Sequence, residues 1–228
     1  KRLLSNFLRY KRESFVPKIG LAKLLAAGHM NQEEAENFME ELTEGNLSQA
    51  QIAAFLIGMT AGGINAEEIA GCARVLKRKR VPVELPFPLL DTCGTGGDGK
   101  GTFNISSFAA LIAASCGAKV AKHGNRAVSS VSGSADFYKA LGIDTELRAE
   151  EAADMIEKSG FAFLFAPFYH KAMRHAASVR KELGVKTIMN LLGPLSNPAG
   201  ASYQLIGVFA PEYVKPVAEA AILLGLKR

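Results

Sequence analysis

The sequence predicts two units joined by a linker: a small N-terminal helical domain and then a mainly parallel α/β domain. Helix start signals dominate the first third of the chain, and three prolines then interrupt the helical pattern in "VPVELPFP". Beyond them, short apolar runs alternate with helical segments, which is typical of a parallel sheet covered by helices on both faces. We therefore place an N-terminal extension at residues 1–16, the helical domain at 17–80, the linker at 81–88 and the α/β domain at 89–228.

The helices of the first domain begin at capping boxes, in which an N-cap side chain and a residue three positions later bond to each other's backbone. Apolar residues such as Ile52, Phe55 and Met59 follow at helical spacing and predict one buried face. The three pairs are Asn31 with Glu34, Ser48 with Gln51, and Asn65 with Glu68.

The second domain shows four short apolar runs and four helical segments. We predict strands at "LLDT", "AKVAKHG", "FAFLFA" and "YQLIGVF" because each is short, apolar and bounded by polar or glycine residues. We predict helices at "ISSFAALIAAS", "SADFYKALG", "AEEAADMIEKSG" and "HKAMRHAASVRKELG".

Composition limits the classes of protein that fit. The chain has 228 residues, 48% of them hydrophobic, so it can bury a sizeable core. Its apolar stretches fall far short of the roughly 20 residues that span a bilayer, and we expect a soluble, cytoplasmic protein. Cys72, Cys93 and Cys116 show no CxxC spacing, which indicates a reducing compartment and no structural zinc. The net charge of +5 suits an anionic substrate or nucleic acid, but an ordinary basic surface explains it equally well.

The stretch "GTGGDGKGTFNISS" (Gly94–Ser107) is the first candidate site. It follows a predicted strand and enters a helix near Asn104, an arrangement that binds phosphate through backbone N–H groups and the helix dipole. A Walker loop does not fit, and a dinucleotide fingerprint lacks the acidic residue about 20 positions later. Asp98 suits a ligand that also carries hydroxyls or magnesium, such as a sugar pyrophosphate. Simple helix capping by Asn104 and Ser106 is the alternative explanation.

The stretch "KHGNRAVSS" (Lys122–Ser130) is the second candidate site. It leaves a predicted strand and is rich in glycine, cationic and hydroxyl groups. Loops that leave parallel strands at their carboxyl ends meet at one edge of the sheet, where α/β proteins bind ligands. A polar loop without a ligand is the alternative.

Both motifs, together with "FAPFYHKAMRHAASVRKELGVKTIMNLLGPLSNPA" (Phe165–Ala199), resemble the anthranilate phosphoribosyltransferase family from about residue 17 onward. The resemblance implies a fold of the nucleoside phosphorylase and phosphoribosyltransferase type. It also implies that anthranilate displaces pyrophosphate from phosphoribosyl pyrophosphate (PRPP) in tryptophan biosynthesis, with Mg²⁺ as cofactor. The family forms homodimers through its helical domain, where Leu21, Leu24 and Leu25 are candidate contact residues.

The resemblance also implies the site residues, and it implies no catalytic acid or base, because positioning and electrostatics suffice for this leaving group. A surface cation is the alternative for Arg180, and a structural histidine is the alternative for His170. Anthranilate would be bound by Gly94, Asn125, His170 and Arg180, and magnesium by Ser106. PRPP would be bound by Gly94, Gly97, Asp98, Thr102, Asn104, Ile105, Ser106, Ser107, Lys122, His123, Gly124, Asn125, Arg126, Ala127, Val128, Ser129, Ser130 and Ser134.

The sequence departs from the family pattern at both ends. It stops at "AAILLGLKR", whereas the family continues into another strand and an Asp-Glu pair that binds magnesium. We therefore expect a C-terminally truncated fold and a poor catalyst. The opening "KRLLSNFLRY" resembles the closing helix of the amidotransferase subunit of anthranilate synthase, which suggests excision from a fusion. An amphipathic basic extension is the alternative.

Two other functions remain as hypotheses. A nucleic-acid-binding relative would use the basic surface, but it has no need for both intact loops, and aromatics are not interleaved with the basic stretches. A nucleoside phosphorylase would bind free phosphate and a base, against which the "KHGNR" and Arg180 regions argue.

Overall fold

The computed structural model describes residues 20–26, 28–97, 99, 101–126 and 132–227. The predicted extension at 1–16 lies outside these residues. Within the described ranges, no helix is both long and apolar enough to cross a membrane. The first part of the chain forms four helices: α1 (residues 20–26), α2 (Gln32–Glu44), α3 (Gln49–Gly62) and α4 (Ala66–Lys79).

All three predicted capping boxes are confirmed. At the start of α2, the Asn31 side chain accepts a hydrogen bond from the Glu34 amide at 2.9 Å, and the Glu34 carboxylate accepts one from the Asn31 amide at 2.8 Å. The same reciprocal pairs open α3 and α4. These bonds satisfy backbone donors that a helix leaves free at its first turn, so each helix start is specified locally.

Four parallel strands form one sheet in the order β3-β2-β1-β4. All four predicted strands are present, although two of them are only two residues long. The glycine loop begins shortly after β1 ends, and β4 pairs with β1 at the edge of the described sheet. The strands are β1 (Leu90–Asp91), β2 (Val120–Gly124), β3 (Phe161–Phe165) and β4 (Tyr203–Gln204).

Three of the helices predicted in the second domain are confirmed, and one prediction is wrong. The confirmed helices are α5 (Ile105–Ser115), α6 (Ser134–Ala140) and α7 (Ala149–Ser159). The segment "HKAMRHAASVRKELG" is not a single helix. His170 leaves helical geometry at φ −122° and ψ 57°, and this ends a short α8 (Ala166–Tyr169). A 3₁₀ turn, η1 (Lys171–Ala176), then leads into α9 (Ala177–Leu183).

The sequence reasoning missed α10 (Ile188–Leu195), which contains a glycine followed by a proline. Pro194 lies in the last turn, where it cannot donate to the carbonyl of Asn190, and the helix ends one residue later. The 3₁₀ turn η2 (Pro211–Tyr213) and the helix α11 (Val214–Leu223) complete the described elements.

The core of the helical domain is completed by the C-terminal half of the chain. α10 and α11 pack against α4, so that Ile188, Leu191 and Val217 share one apolar cluster with α2, α3 and α4. Two further clusters cover the two faces of the sheet. The domain boundaries at residues 17–80, 81–88 and 89–228 stay a prediction, because helices α10 and α11 of the last segment pack against α4 of the first.

The basic run at the end of α4 is largely paired with α2. Arg78 lies 2.6 Å from the Glu40 carboxylate, and Lys79 lies 2.6 Å from Glu40 and 3.2 Å from Glu44. Arg80 donates to the carbonyl of Pro198 at 2.9 Å. Arg78, Lys79 and Arg80 therefore bind neighbouring groups of the same chain.

The three leucines of α1 that were expected at a dimer contact differ in their exposure to solvent. Leu24 is 6% exposed and belongs to the helical core, and Leu21 is partly buried against it, whereas Leu25 is 89% exposed. The expectation was wrong for Leu24, because the residue is already used inside its own subunit.

The close approach of α2 and α4 at Gly71 predicts a specific loss of stability. A Cβ at this position would lie 2.4 Å from the carbonyl oxygen of Gln32 and 3.1 Å from the Glu36 amide, so Gly71→Ala should force the helices apart. We expect the free energy of unfolding to fall by about 1–3 kcal/mol in a denaturant titration. Gly193→Ala is the matched control, because a Cβ there meets no atom within 4 Å and should leave stability unchanged or higher. Equal losses in both variants would contradict the packing argument.

Candidate active site

The glycine loop uses glycine for its backbone conformation. Gly96, Gly97, Gly99 and Gly101 have φ angles of 64°, 73°, 69° and 64°, in the left-handed region that other residues rarely adopt. The absence of Cβ atoms also leaves the backbone N–H groups accessible to a ligand. Asp98 lies outside the described residues, so its role stays a prediction.

Residues far along the chain hold the glycine loop in place. The Thr95 amide donates to the carbonyl of Gly207 at 2.9 Å, and a Cβ on Gly94 would lie 3.0 Å from the same oxygen. Lys186 donates to the carbonyl of Gly97, and its ammonium lies 4.4 Å from the centre of the Phe209 ring. The sequence reasoning missed these anchors, since no local pattern joins them to the loop.

The start of α5 carries several of the predicted ligand residues. Thr102, Ile105 and Ser106 are exposed there, whereas Ser107 is 1% exposed and its carbonyl accepts a hydrogen bond from the Tyr138 hydroxyl at 3.1 Å. Asn104 is the N-cap residue, but its side chain makes no capping bond. Its side-chain NH₂ group instead donates to the carbonyl of Ser132 at 3.3 Å. Helix capping therefore does not explain Asn104.

The second loop begins on β2 with a buried cation. Lys122 is 2% exposed, and its ammonium donates to the carbonyl of His123 at 2.8 Å. Gly124 has no room for a side chain, because a Cβ would lie 2.7 Å from the Phe163 ring. Asn125 and Arg126 are exposed, and the Arg126 guanidinium lies 5.4 Å from the centre of the Phe165 ring. The predicted ligands Ala127, Val128, Ser129 and Ser130 lie outside the described residues.

The structure brings the two loops together. The carbonyl of Asn125 accepts a hydrogen bond from the Ala135 amide at 3.3 Å, and a Cβ on Gly124 would lie 3.1 Å from the Cβ of Ser134. The contact between Asn104 and Ser132 then joins the start of α5 to the segment that precedes α6. Both predicted motifs therefore contact the segment 132–135 at the carboxyl edge of β1 and β2.

A buried carboxylate, which the sequence reasoning did not single out, lies between the two loops. Asp91 Oδ1 accepts hydrogen bonds from the amides of Cys93 at 3.0 Å and His123 at 3.2 Å. Its Oδ2 accepts one from the Asn197 side chain at 2.7 Å. Burial raises the pKa of Asp91, while the positive charge of Lys122 and these hydrogen bonds oppose that shift.

Two buried imidazoles lie side by side next to the second loop. The ring centres of His123 and His170 are 5.3 Å apart, and His123 Nδ1 lies 3.0 Å from the carbonyl oxygen of Gly193. Within the described part of the chain, the Nε2 atoms of both rings have no hydrogen-bond partner. Burial lowers the pKa of His123 to about 3 and that of His170 to about 4, so both rings are neutral at pH 7. The structure thus places His170 beside the predicted site.

Among the described residues, Arg180 has no hydrogen bond to either loop. It lies on α9, which packs against η1 and α3, and the Ser178 hydroxyl accepts a hydrogen bond from Gln49 there at 3.4 Å. Burial lowers the pKa of Arg180. Its guanidinium is partly buried and forms no ion pair with a carboxylate among the residues the structure describes, which is unusual for a surface cation.

The thiol next to the glycine loop is not a nucleophile. Cys93 is 6% exposed, and burial raises the pKa of its thiol to about 12. A reactive cysteine needs a lowered pKa and access to solvent. The residue is buried beside the loop.

The fold and site define a class: an α/β domain whose loops leave one carboxyl edge of a parallel sheet, with a helical bundle packed beside it. The chain belongs to the glycosyl transferase family. The model of the family's a/b domain matches residues 87–228, and the model of its helical bundle domain matches residues 20–79.

The particular relatives are anthranilate phosphoribosyltransferases. The enzyme of Syntrophobacter fumaroxidans is 48% identical over 92% of this chain and 62% of its own length. The crystal structure of the Thermus thermophilus enzyme matches with a TM-score of 0.85 at 48% identity, covering 90% of this chain and 63% of that one. The Saccharomyces cerevisiae enzyme, in complex with PRPP and Mg, matches with a TM-score of 0.82 at 31% identity, over 94% of this chain and 64% of that one. The chain therefore spans about three-fifths of the length of the relatives it matches.

The buried histidines predict an acid-dependent loss of stability. The folded protein protonates His170 near pH 4, whereas the unfolded chain does so near 6.5. As the pH falls through this window, the unfolded state gains protons first, so the free energy of unfolding should decrease by up to about 1.4 kcal/mol per pH unit for this group. Denaturant titrations between pH 7 and 5 should show a shallower dependence for His170→Gln than for the wild type.

The comparison of variants also isolates the histidine from carboxylates such as Asp91, whose raised pKa acts in the opposite direction. The control is the range between pH 9 and 8, above the window of the histidine, where the wild type and His170→Gln should show the same slope. An unchanged slope in His170→Gln would show that the buried ring does not contribute.

Proposed function

We propose that this chain binds PRPP across the glycine loop and the "KHGNR" loop and transfers its phosphoribosyl group to anthranilate, as in tryptophan biosynthesis. The observation that supports this most directly is the meeting of the two motifs. The carboxylate of Asp91 joins the starts of both loops, and Asn104 reaches across from α5 to Ser132. The names of the relatives supply the substrates, because they are anthranilate phosphoribosyltransferases and one of them holds PRPP and Mg.

The two loops offer complementary groups to a phosphorylated sugar. The backbone amides of the glycine loop and the start of α5 provide N–H donors and the positive end of a helix dipole, which suit the pyrophosphate. Lys122 adds a buried positive charge next to them. These groups stabilise the charge that develops on pyrophosphate as the bond to the ribose breaks, so the reaction needs no acid or base from the protein to activate the leaving group.

The anthranilate would lie toward His170 and Arg180. The neutral rings of His123 and His170 are buried beside the second loop, and their Nε2 atoms have no hydrogen-bond partner among the described residues. Asn125 is exposed at the end of β2 and can contact both substrates. An arginine without a carboxylate partner among the described residues is suited to bind the carboxylate of anthranilate through two parallel hydrogen bonds.

Magnesium would enter with PRPP rather than bind to the protein alone. Mg²⁺ prefers octahedral oxygen coordination and usually takes one or two carboxylates together with substrate phosphates. Among the described residues, no group of three or more histidine, cysteine or carboxylate side chains could hold a metal ion. The exposed Ser106 provides one hydroxyl at the start of α5, so the described residues fit only a site completed by the phosphates. When bound, the ion would neutralise part of the charge on pyrophosphate.

We further propose a homodimer through the helical domain and a cytoplasmic location. Leu25 is an 89% exposed apolar residue on α1, which suits a contact between subunits. The cysteines Cys72, Cys93 and Cys116 are all free, which suits a reducing compartment.

The left-handed backbone of Gly97 predicts a loss of PRPP binding when this residue is replaced. Gly97→Val introduces a β-branched residue at φ 73°, which should distort the loop and cover its amides. We expect the affinity for PRPP in the presence of magnesium to fall below detection in calorimetry.

Gly117→Val is the matched control, because Gly117 has φ 92° and follows α5 at the end away from the loops. It should cost stability and leave the affinity for PRPP intact. Wild-type affinity in Gly97→Val would contradict the proposed role of the loop.

The position of Arg180 predicts an effect on one substrate only. Arg180→Ala should raise KM for anthranilate about tenfold to a hundredfold, because a charged hydrogen-bonded contact contributes about 1.5–3 kcal/mol. KM for PRPP should change little. The measurement is steady-state kinetics by loss of anthranilate fluorescence, with Arg174→Ala as a control on η1. Equal changes in both KM values would indicate a role in folding.

A further inference from the structure

The carboxylate of Asp91 is buried where β1 ends, and it joins three segments of the chain. It is 0% exposed and accepts hydrogen bonds from the first part of the glycine loop, from the end of β2 and from the Asn197 side chain. All three partners donate, so the position requires a group that only accepts. An ionised carboxylate meets that requirement, whereas an amide would turn a donor toward one of the three.

Asn197 is itself held in one orientation. Its side-chain amide donates to the carbonyl of Ala121 at 2.9 Å as well as to Asp91, and its side-chain oxygen accepts a hydrogen bond from the Ala199 amide at 2.8 Å. It is 3% exposed. Because these three bonds fix both ends of the amide, Asn197 fixes the carboxylate of Asp91 relative to β2.

Two backbone amides donate to Asp91, and they lie at the starts of the two candidate ligand loops. Cys93 directly precedes Gly94, and His123 directly precedes Gly124 and Asn125. Both bonds end on the same oxygen, so the distance between the loop starts cannot change without breaking at least one of them. The positive charge of Lys122 lies close enough to Asp91 to favour its ionised carboxylate.

We propose that Asp91 is a positioning residue, which sets the spacing between the two loops so that one phosphorylated ligand contacts both. It touches no substrate itself and acts through the amides of Cys93 and His123. Asn197 orients it. This inference rests on the proposed function for the identity of the ligand, but not for the geometry of the loops.

Asp91→Asn keeps the size of the side chain and tests the proposal in two ways. The first measurement is site-resolved hydrogen exchange of the Cys93 and His123 amides in the ligand-free protein. We expect both rates to rise about tenfold relative to the amide of Phe163 in β3, because the amide oxygen that replaces Oδ1 is a weaker acceptor than a carboxylate oxygen and the NH₂ group beside it faces the donor of Asn197. The second is binding of PRPP with magnesium by calorimetry, where the affinity should fall by a similar factor.

Glu68→Gln is the matched control. Glu68 is also a 0% exposed carboxylate, it also accepts hydrogen bonds from two backbone amides, those of Met30 and Asn65, and it lies in the helical domain. This variant should lose stability without a selective rise in exchange at Cys93 and His123 and without a loss of affinity. The same pattern in both variants would overturn the proposal, since Asp91 would then be merely structural.

Two further outcomes are distinguishable. If the wild-type protein does not bind PRPP, the proposed function fails, and the exchange rates alone decide the role of Asp91. If Asp91→Asn does not fold, Asn197→Ala replaces it, because this variant leaves the carboxylate in place and removes the side chain that orients it, together with the bonds of that side chain to Ala121 and Ala199. Faster exchange at both amides in Asn197→Ala would support the proposal, and unchanged rates at both would overturn it.

Discussion

The position of β1 in the middle of the sheet is the constraint on which the candidate site depends. This strand is two residues long, pairs with β2 on one side and with β4 on the other, and runs parallel to both. Its carboxyl end therefore lies beside the carboxyl end of β2, and the loops after the two strands leave from one edge. Asp91, the last residue of β1, accepts hydrogen bonds from the starts of both loops. The central strand of the sheet therefore also sets the distance between the two loops.

The helical domain and the α/β domain are structurally interdependent. The C-terminal half supplies α10 and α11 to the core of the helical bundle, and the segment after β4 holds the glycine loop through Gly207. Changes in the packing of α10 can therefore reach the second loop, since Gly193 contacts the His123 ring. This arrangement explains why the residues of the candidate site are spread from position 91 to position 197, although the two motifs themselves are short.

Local patterns in the sequence predicted much of this architecture. Capping boxes give reliable helix starts because both partners lie within four residues, and alternating strands and helices indicate a parallel sheet. The two loops were predictable because glycine and cationic residues come directly after strands. The end of the helix at His170 was not predictable from local patterns, since the ring that packs against His170 belongs to His123 on a distant strand. Asp91, Asn197 and Lys186 were missed for the same reason, since their partners are distant in sequence.

The central claim is that the two loops form one site for one ligand. The most direct test is a titration of the ¹⁵N-labelled protein with PRPP and magnesium, monitored through the backbone amides by NMR. The account predicts that amides of residues 94–97 and of residues 123–126 shift together and saturate with a single dissociation constant. Shifts confined to one loop, or two independent saturation curves, would contradict it.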